Sequence, residues 1–400
     1  MVYVCGGGFA YFLCSLQKVT DQYYTFFATL AFFSTYKQIF DMKYCYAFRG
    51  QLLWQLVLIL SVTQVGLAQD AHFSQFYASP LTLNPALAGT AAGTYRVTAN
   101  YRDQWRGALD NPLKTFSFAG DLNFPVTNDK NNPDYIGAGF MFFSDRVDAF
   151  DLNTNQLALV GSYHKSLDQR QTKYLGAGVQ FGISQKGINY EDLTFQDQFN
   201  AIDGFTLPSG ELLPQNNLAY LDFAVGLSYH ASNSDTKSKT DIGVSYAHFN
   251  GPNVSFYRST ANPSPGLQVE SVLHPKLTAH AAFSFRSGQK LDIQPRLLAI
   301  LQGPHTEVNV GNNFKFALND RGTKYLHLAP YIRTVNNIDG FGIESLVGAV
   351  GFELEGMIIG FSYDHKLSDL VTDRSGLNAL EFSITFIGEH ENEDNFCPTF

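Results

Sequence analysis

Cysteine and long apolar runs are both scarce in this chain of 400 residues. Only 4 residues are cysteine, and after residue 69 only Cys397 remains, so no intramolecular disulfide framework can form there. We expect Cys397 to be a free thiol. No segment after residue 69 reaches the roughly 18 consecutive apolar residues of a membrane-spanning helix, although phenylalanine (35) and tyrosine (21) are abundant. These features argue against a helical membrane protein and suit a β-barrel, whose apolar residues occupy alternate positions.

Basic residues are also few. The chain has 27 Lys and Arg residues against 36 Asp and Glu residues. Residues 1–69 contain four basic and two acidic residues, which leaves 23 basic and 34 acidic residues in the remainder. Binding to nucleic acid depends on clustered Lys and Arg that neutralise phosphates. We therefore expect no nucleic-acid partner.

Motifs for catalysis and metal binding are missing as well. The 10 histidines follow no ligand spacing, and there is no GxSxG elbow. The glycine-rich stretch 176–182 lies inside a strand pattern with no helix after it, so it does not predict a dinucleotide site. We predict a protein that is not an enzyme and has no cofactor or metal. A lipid-modifying barrel enzyme with a Ser/His or His/Asp pair on its rim is the alternative left open.

The first part of the chain carries an export pattern. Residues 42–69 begin with basic residues, continue with LLWQLVLIL and end in small residues. This order predicts a secretory signal peptide that is cleaved near Ala68 or Gln69. Residues 1–41 lack a basic start and are interrupted by charges, so we interpret them as an over-extended N-terminus that precedes the true start at Met42.

Hydrophobic side chains alternate with polar ones through the rest of the chain. In TFSFAGDLNF (115–124), phenylalanine and leucine alternate with small and polar residues, and the same period recurs in 94–102, 219–229 and 380–386. Period two over about ten residues is typical of membrane-spanning strands, whereas strands of soluble sandwiches are usually about five or six residues long. The pattern predicts an all-β, transmembrane outer-membrane β-barrel.

Fourteen candidate strands form the predicted barrel at 94–388, and an even number is typical of bacterial barrels. We place them at 94–104, 114–124, 135–146, 153–165, 172–185, 218–230, 239–249, 275–286, 290–301, 306–318, 323–334, 340–351, 354–364 and 378–388.

Connection lengths agree with an antiparallel barrel in the outer membrane. If the first strand runs outward, the connections after even-numbered strands are short and face the periplasm. Those after odd-numbered strands face outside and include 187–217, 250–274 and 366–376. Short turns on one side and long loops on the other are typical of outer-membrane proteins. Residues 389–400 are expected to form a periplasmic tail.

The polar face of the strands carries charged residues that would be costly to bury unpaired. We expect them to face a hydrated lumen or to pair across it, either as ion pairs that brace the barrel or as a path or docking surface for a translocating peptide. The candidate lumen residues are Arg96, Arg102, Asp121, Asp222, Arg333 and Glu381.

Several stretches of the sequence are similar to one known family. FSQFYASPLTLNPALAG, YRVTANYRDQW and KTFSFAGDLNF, followed later by IQPRLLAILQGPHTEVNVGNNFKF, GFSYDHKLSDL and LNALEFSITF, resemble the PorP/SprF family of Bacteroidetes type IX secretion. The resemblance covers nearly all of 69–388, and residues 1–41 have no counterpart in it. It implies an outer-membrane barrel that works with periplasmic and peptidoglycan-linked secretion components. Some members of the family serve the export or surface anchoring of adhesins in gliding motility.

Residues 70–93 lie between the predicted signal peptide and the first strand. Asn84 can cap a helical turn with Pro85 at its first position, whereas the side chains of Phe73, Phe76 and Tyr77 need burial. With the mature N-terminus in the periplasm, the barrel mouth is the expected place for these aromatic residues. We expect the segment to be either a plug or docking element, or a structural cap on the barrel floor.

The residues and the resemblance together predict a non-enzymatic component of type IX secretion in the cell outer membrane. Such a protein would bind or anchor a secreted adhesin or cargo domain, and it would contact outer-membrane lipid and periplasmic secretion components. The alternative is an outer-membrane transporter or channel for hydrophobic or small solutes, because fatty-acid transporters also have an N-terminal segment before a 14-stranded barrel.

Overall fold

The structure of the protein is a computed structural model. It describes residues 70–106, 112–126, 134–147, 151–170, 172–191, 193–211, 213–233, 235–257, 271–337, 340–367 and 378–389. The predicted signal peptide, the proposed start at Met42, Cys397 and most of the predicted tail lie outside the described residues, so these interpretations stay predictions.

Fourteen strands are formed by the described residues, as the alternation predicts, and no boundary differs from the predicted one by more than three residues. The strands are β1 (Tyr95–Gln104), β2 (Leu113–Pro125), β3 (Tyr135–Val147), β4 (Leu152–Ser166), β5 (Lys173–Ile188), β6 (Asn217–Asn233), β7 (Ser238–Ala247), β8 (Lys276–Ser287), β9 (Leu291–Gln302), β10 (His305–Ala317), β11 (Lys324–Asn337), β12 (Gly340–Leu354), β13 (Met357–Lys366) and β14 (Ala379–Gly388).

The strands form a single closed antiparallel sheet in which each strand pairs with its neighbours in sequence. Closure is made by β1 and β14, whose register runs from Tyr95 opposite Gly388 to Gln104 opposite Ala379. Closing the sheet leaves no unpaired edge strand, which is one of only two ways to satisfy backbone groups in a bilayer. The predicted 14-stranded barrel is therefore confirmed.

Burial along the strands is the reverse of that in a soluble protein. On β1, Arg96, Thr98 and Asn100 are buried, whereas Val97 and Tyr101 are 37% and 38% exposed. The same inversion recurs on most of the other strands, where outward-facing Leu, Val, Ile and Phe residues alternate with buried polar residues, although part of the inner face of β9, β11 and β12 is apolar. Such an apolar outer face needs lipid as its solvent, so the fold is that of a membrane β-barrel.

Helices in the described residues are short. None of them is long and apolar enough to cross a membrane.

The buried face of the strands points into the barrel. Asp364 on β13 lies 3.1 Å from Arg102 Nη1 on β1 and 3.1 Å from Nη1 of Arg333 on β11, measured from its Oδ2. None of these three strands neighbours another in the sheet. The side chains can therefore meet only across the interior.

The two ends of the barrel differ. The short-turn end is the one where β1 begins, and the long-loop end is the one where β1 finishes. The two longest connections, 189–216 and 248–275, both leave from the long-loop end. A short connection at the other end, between β12 and β13, consists of Glu355 and Gly356, whose φ angles are 46° and 87°. This left-handed pair is the turn that a two-residue hairpin favours.

The N-terminal segment (residues 70–93) contains three short helical turns. These are a 3-10 turn at Phe76–Ala78, α1 at Pro80–Leu83 and a second 3-10 turn at Pro85–Leu87. Each of the last two begins with proline, whose fixed φ suits the first helical position. The turns are too short to be stable alone, so their order depends on contacts with the barrel.

Candidate functional site

The N-terminal segment runs along the inner face of the wall from one end of the barrel to the other. At the long-loop end, Asp70 Oδ2 lies 2.6 Å from His248 Nε2 and accepts a 2.8 Å hydrogen bond from Lys276 Nζ. At the short-turn end, Gly89 donates a 2.7 Å hydrogen bond to Asp121 Oδ2. The sequence predicts a mature N-terminus in the periplasm, just before β1. The segment instead begins at the opposite end from the start of β1, because the cationic partners of Asp70 lie there.

The anchor at Asp70 is a partly buried chain of charges. His248 follows β7, and its Nδ1 lies 2.7 Å from Asp222 Oδ1. Burial lowers the pKa of His248, but the hydrogen bonds to Asp222 and Asp70 outweigh it and raise the pKa to about 8. Burial also opposes the charge on Asp70, yet Lys276 and His248 hold its pKa well below the usual value. The imidazole is thus held between two carboxylates in its charged form at neutral pH.

Ser74 is the centre of a buried ion cluster. Its hydroxyl donates a 2.5 Å hydrogen bond to Asp364 Oδ2, and its backbone N donates a 2.6 Å hydrogen bond to Glu381 Oε1. The guanidinium groups of Arg102 and Arg333 both donate to Ser74 Oγ, and Arg102 also pairs with Glu381. Three of the predicted lumen residues therefore meet around one serine of the N-terminal segment.

The neighbours of Ser74 extend this cluster. His72 Nε2 lies 2.8 Å from Glu307 Oε1, and Glu307 also faces Arg333 at 3.3 Å. On the other side, Gln75 accepts a 2.8 Å hydrogen bond from Ser383 and its backbone N donates one of 2.9 Å to Glu381. Residues 72–75 are thus bonded to strands on several sides of the barrel.

The aromatic side chains of the segment pack deep against the wall instead of at a barrel mouth. Phe73 meets Phe143 edge-on with ring centroids 6.2 Å apart, and Phe76 meets Tyr331 at 5.9 Å. Phe73 and Phe76 are buried. Tyr77 is half-buried, and the guanidinium of Arg296 lies 4.0 Å from the centroid of its ring. The three aromatics are therefore part of the packing between segment and wall.

Asn84 and Pro85 have the local roles that the sequence predicts. The side chain of Asn84 accepts a 2.9 Å hydrogen bond from the backbone N of Ala86, which caps the turn that Pro85 begins. The amide nitrogen of Asn84 donates to Leu227 O at 3.0 Å and lies 3.1 Å from His280 Nε2. Asn84 is fully buried. The cap is thus also a cross-link between the segment, β6 and β8.

Glycines on the wall make room for the backbone of the segment. A Cβ at Gly178 would lie 2.4 Å from Ala86 N, and one at Gly137 would lie 2.2 Å from Ala88 O. Both distances are shorter than any normal contact with a side chain. The inner wall of β3 and β5 is therefore shaped to the main chain of residues 86–88.

Two predicted lumen residues tie the end of the segment to β1 and β2. Arg96 Nε and Asp121 Oδ1 lie 2.9 Å apart, and Arg96 Nη2 donates a 2.9 Å hydrogen bond to Leu87 O. Asp222 lies apart from the others, beside His248 and within 2.7 Å of Gln156 Nε2. The structure therefore brings Arg102, Arg333 and Glu381 into one cluster and distributes the remaining three over two others.

Sequence reasoning missed Asp364, Glu307 and His248, which complete these clusters. Asp364 and Glu307 occupy inward positions of β13 and β10, so strict alternation applied to every strand could have found them. His248 carries no such signal, because it follows the end of β7 and has a positive φ of 56°. Its role depends on a contact with a residue 178 positions away.

The contacts in this site are those of recognition. Its charged groups are paired with one another, and its polar groups hydrogen-bond the N-terminal segment. Among the described residues, no group of His, Cys, Asp and Glu could hold a metal ion. The arrangement therefore suits the binding of a peptide, and the bound peptide is the chain's own segment.

A separate groove of about 810 Å³ lies on the wall of β4 to β7. Its outward-facing lining includes Gly161 and Ala177, which are small beside Tyr163, Val179 and Leu227. It opens on the outer face of the barrel and belongs to a different surface from the site described above.

The family model described as type IX secretion system membrane protein PorP/SprF matches residues 65–386. A search of curated proteins found no match. The family match covers most of the chain and confirms the resemblance seen in the sequence.

Solved structures are similar only at low identity. A FadL homologue from Pseudomonas aeruginosa has 11% identity and a TM-score of 0.43 over 76% of this chain and 92% of its own. The translocator domain of the autotransporter NalP from Neisseria meningitidis has 11% identity and a TM-score of 0.33 over 86% of this chain and 97% of its own. CdiB from Acinetobacter baumannii has 9% identity and a TM-score of 0.39 over 74% of this chain, which spans 60% of the CdiB length.

Proposed function

The chain belongs to the PorP/SprF family of type IX secretion system membrane proteins, and from this premise we propose that it is a non-enzymatic outer-membrane component of type IX secretion that binds or anchors exported surface proteins. It holds its partner through its rim and loops. No covalent step is required.

The observation that carries this proposal is the occupation of the inner wall by the N-terminal segment. The segment is bonded at Asp70, at Ser74, at Asn84 and at Gly89 to strands around the barrel. These bonds hold the segment on the inner wall, and we propose that it leaves no free channel for a second polypeptide while it is in place. The surfaces left for a partner are the two ends of the barrel. This supports a protein that holds its partner and disfavours a channel that conducts a polypeptide.

The two ends suit two kinds of partner. The short-turn end would face the periplasm and the peptidoglycan-linked secretion components, and the long-loop end would face outside and hold the exported adhesin or cargo domain. Short turns on the periplasmic side and long loops outside are the usual orientation in the outer membrane. The apolar outer face would contact the lipid of that membrane.

The alternative of a channel for hydrophobic or small solutes receives less support. A site for an apolar solute is lined mainly by hydrophobic and aromatic side chains. The inner face here is mixed. Serine, threonine, asparagine and buried ion pairs, such as Arg102 with Glu381, lie beside two apolar clusters, and the N-terminal segment packs against these with Phe76 and Leu81. We therefore rank the channel second.

Two experiments on the wild-type protein separate these functions. Affinity purification from native membranes should recover secretion components and an exported surface protein together with the barrel. Proteoliposomes that contain the purified protein should take up labelled hydrophobic solute no faster than protein-free liposomes. An isolated barrel with solute flux would favour the channel, and turnover of outer-membrane lipid would favour an enzyme.

A further inference from the structure

The longest described loop at the long-loop end lies beyond the outward-facing apolar residues of the strands, which we call the apolar band. On the outer face of β5 and β6, the last large apolar residues are Ile183 and Leu221, and beyond them Gln185 Nε2 donates a 3.2 Å hydrogen bond to Asn217 Oδ1. Strand β6 also extends past β7, because Ala224 is the residue opposite the last residue of β7. Residues 189–216 therefore start above the lipid-facing surface.

One asparagine organises the tip of this loop. The side-chain oxygen of Asn200 accepts hydrogen bonds from the backbone N of Ile202 at 2.9 Å, Asp203 at 3.0 Å and Gly204 at 3.1 Å. Its side-chain nitrogen donates to Thr206 Oγ1 at 2.5 Å. Asparagine is suited to this role because its short side chain reaches its own backbone in turns.

The chain on either side of Asn200 closes into a small hairpin, which we call the loop hairpin (residues 198–207). Leu207 donates a 3.0 Å backbone hydrogen bond to Gln198 O. Phe199 and Phe205 form an antiparallel bridge, and their rings lie 5.3 Å apart. The loop hairpin is therefore ordered by its own contacts before any partner binds, which lowers the entropic cost of binding.

This ordered tip exposes apolar side chains. Ile202 is 92% exposed, the highest value for a large apolar residue in the described part of the chain, and Phe199 and Phe205 are 52% and 50% exposed. They lie outside the apolar band, where no lipid covers them. Contiguous apolar surface at a rigid, solvent-exposed tip is typical of an interaction site.

The charge of the loop indicates what kind of partner fits. Residues 189–216 contain five acidic residues and no Lys, Arg or His. Segments that insert apolar side chains into membranes are usually rich in Lys and Arg, because anionic headgroups attract them. An acidic loop would be repelled by such a surface. A protein surface with Lys and Arg around an apolar pocket is complementary to it.

We propose that the loop hairpin is the docking tip for the exported protein, with Ile202 entering an apolar pocket that is framed by Lys and Arg on that protein. The proposal rests on the proposed function and adds a site and a partner chemistry to it. Phe199 and Phe205 flank the inserted side chain. The acidic residues of the loop face the basic rim of the pocket.

The test uses cells of the source organism and a membrane-impermeant biotin reagent that labels surface proteins. A strain without the barrel gene identifies the proteins whose surface labelling depends on it. Ile202→Asp should lower the labelling of these same proteins by about tenfold, the effect of losing a central interface residue. Glu211→Lys, which reverses an exposed charge of the loop, should lower it by a smaller factor. Ile202→Leu is the matched control and should label like wild type, as should Val272→Asp on the other long loop.

Each result decides between the proposals, provided that immunoblots show equal amounts of barrel. If the gene deletion leaves the surface proteins unchanged, the proposed function fails and the docking tip with it. If the deletion removes them but Ile202→Asp retains them, the docking tip alone is wrong. A photo-crosslinking residue at position 202 should give an adduct with one of the dependent surface proteins. Crosslinking to lipid or to a second copy of the chain would overturn the proposal.

Discussion

Arg96 and Asp121 form a buried two-pronged ion pair directly opposite each other on β1 and β2. Arg96 Nε lies 2.9 Å from Oδ1 of Asp121, and Nη2 lies 2.9 Å from Oδ2. The same two side chains hold the end of the N-terminal segment, because Arg96 donates to Leu87 O and Asp121 accepts from the backbone N of Gly89. The pair therefore joins β1 to β2 and also holds the end of the N-terminal segment in place.

Replacing Asp121 by asparagine should strongly destabilise the barrel. It leaves the buried Arg96 guanidinium without a counter-charge, and breaking a buried pair from one side typically costs about 3–5 kcal/mol. The measurement is the free energy of unfolding in urea, in lipid vesicles. Lys290→Gln is the control, because the side chains of Lys290 and its partner Asp320 are 61% and 89% exposed, and this change should cost less than about 1 kcal/mol. Equal stability of both variants would contradict the role of the buried pair.

Adding one methyl group at Gly178 should loosen the N-terminal segment. The new Cβ would meet the backbone at Ala86 N and Pro85 C, both at 2.4 Å, and main chain cannot rotate away as a flexible side chain can. We expect Gly178→Ala to increase hydrogen exchange at residues 84–89 by at least tenfold. Gly161→Ala on the neighbouring strand is the matched control, since its Cβ would meet nothing within 4 Å. Unchanged exchange in Gly178→Ala would show that the wall is not shaped to the segment.

Two substitutions at Asn84 should separate its two roles. Asn84→Ala loses both the cap to Ala86 and the donor to Leu227 O, and we expect a loss of roughly 2–4 kcal/mol in unfolding free energy. Asn84→Asp keeps the cap acceptor but places a second acceptor against the carbonyl of Leu227. Its loss should therefore come from the cross-link side of the residue, where a carboxylate is buried against a carbonyl acceptor. Thermal midpoints in detergent provide the comparison, and an Asn84→Asp variant as stable as wild type would mean that the cross-link contributes nothing.

The anchor at Asp70 should weaken as the pH rises. The pKa of His248 is about 8 in the folded protein against 6.5 for the free side chain, so folding favours the charged form. The contribution of charged His248 to the free energy of unfolding is complete below pH 6.5. It is lost as the pH passes through about 8, which lowers that free energy by roughly 2 kcal/mol. The pKa of Asp70 is lowered, so Asp70 stays charged throughout this window.

The pH dependence is measured as hydrogen exchange of residues 70–73 between pH 6 and 9, after correction for the intrinsic rate. Protection should fall across this range in wild type and should be low and flat in His248→Gln. The same slope in both proteins would exclude His248 as its source.

The wall of the barrel could be derived from the sequence because alternation is a local property. Phe116 and Phe118 face outward and Ser117 inward for the same reason that a strand has a period of two. The pattern also located Arg96, Arg102 and Glu381 on the buried face. The predicted and observed strand ends differ where polar residues continue the strand, as at β5, which is predicted to end at residue 185 and extends to Ile188.

The site inside the barrel could be derived only in part. The local sequence at Asn84 and Pro85 predicts a capped turn. The partners of Asn84 are Leu227 and His280, which lie far away in sequence. The position of Asp70 at the long-loop end depends on His248 and Lys276, and no local pattern links these three residues. Closure of the sheet creates such contacts, so they are properties of the assembled barrel.

We propose that the protein holds its partner while the N-terminal segment stays in place, and a disulfide lock can test this. Ser79 Oγ in the segment and Ser117 Oγ on β2 lie 3.5 Å apart, so the pair Ser79→Cys and Ser117→Cys can be cross-linked in a Cys397→Ser background. We expect the cross-link to form in the membrane and the locked barrel to display the dependent surface proteins at the wild-type level. Loss of display in the locked protein, with recovery on reduction, would mean that the segment has to leave the lumen and that the protein does not act as a holder.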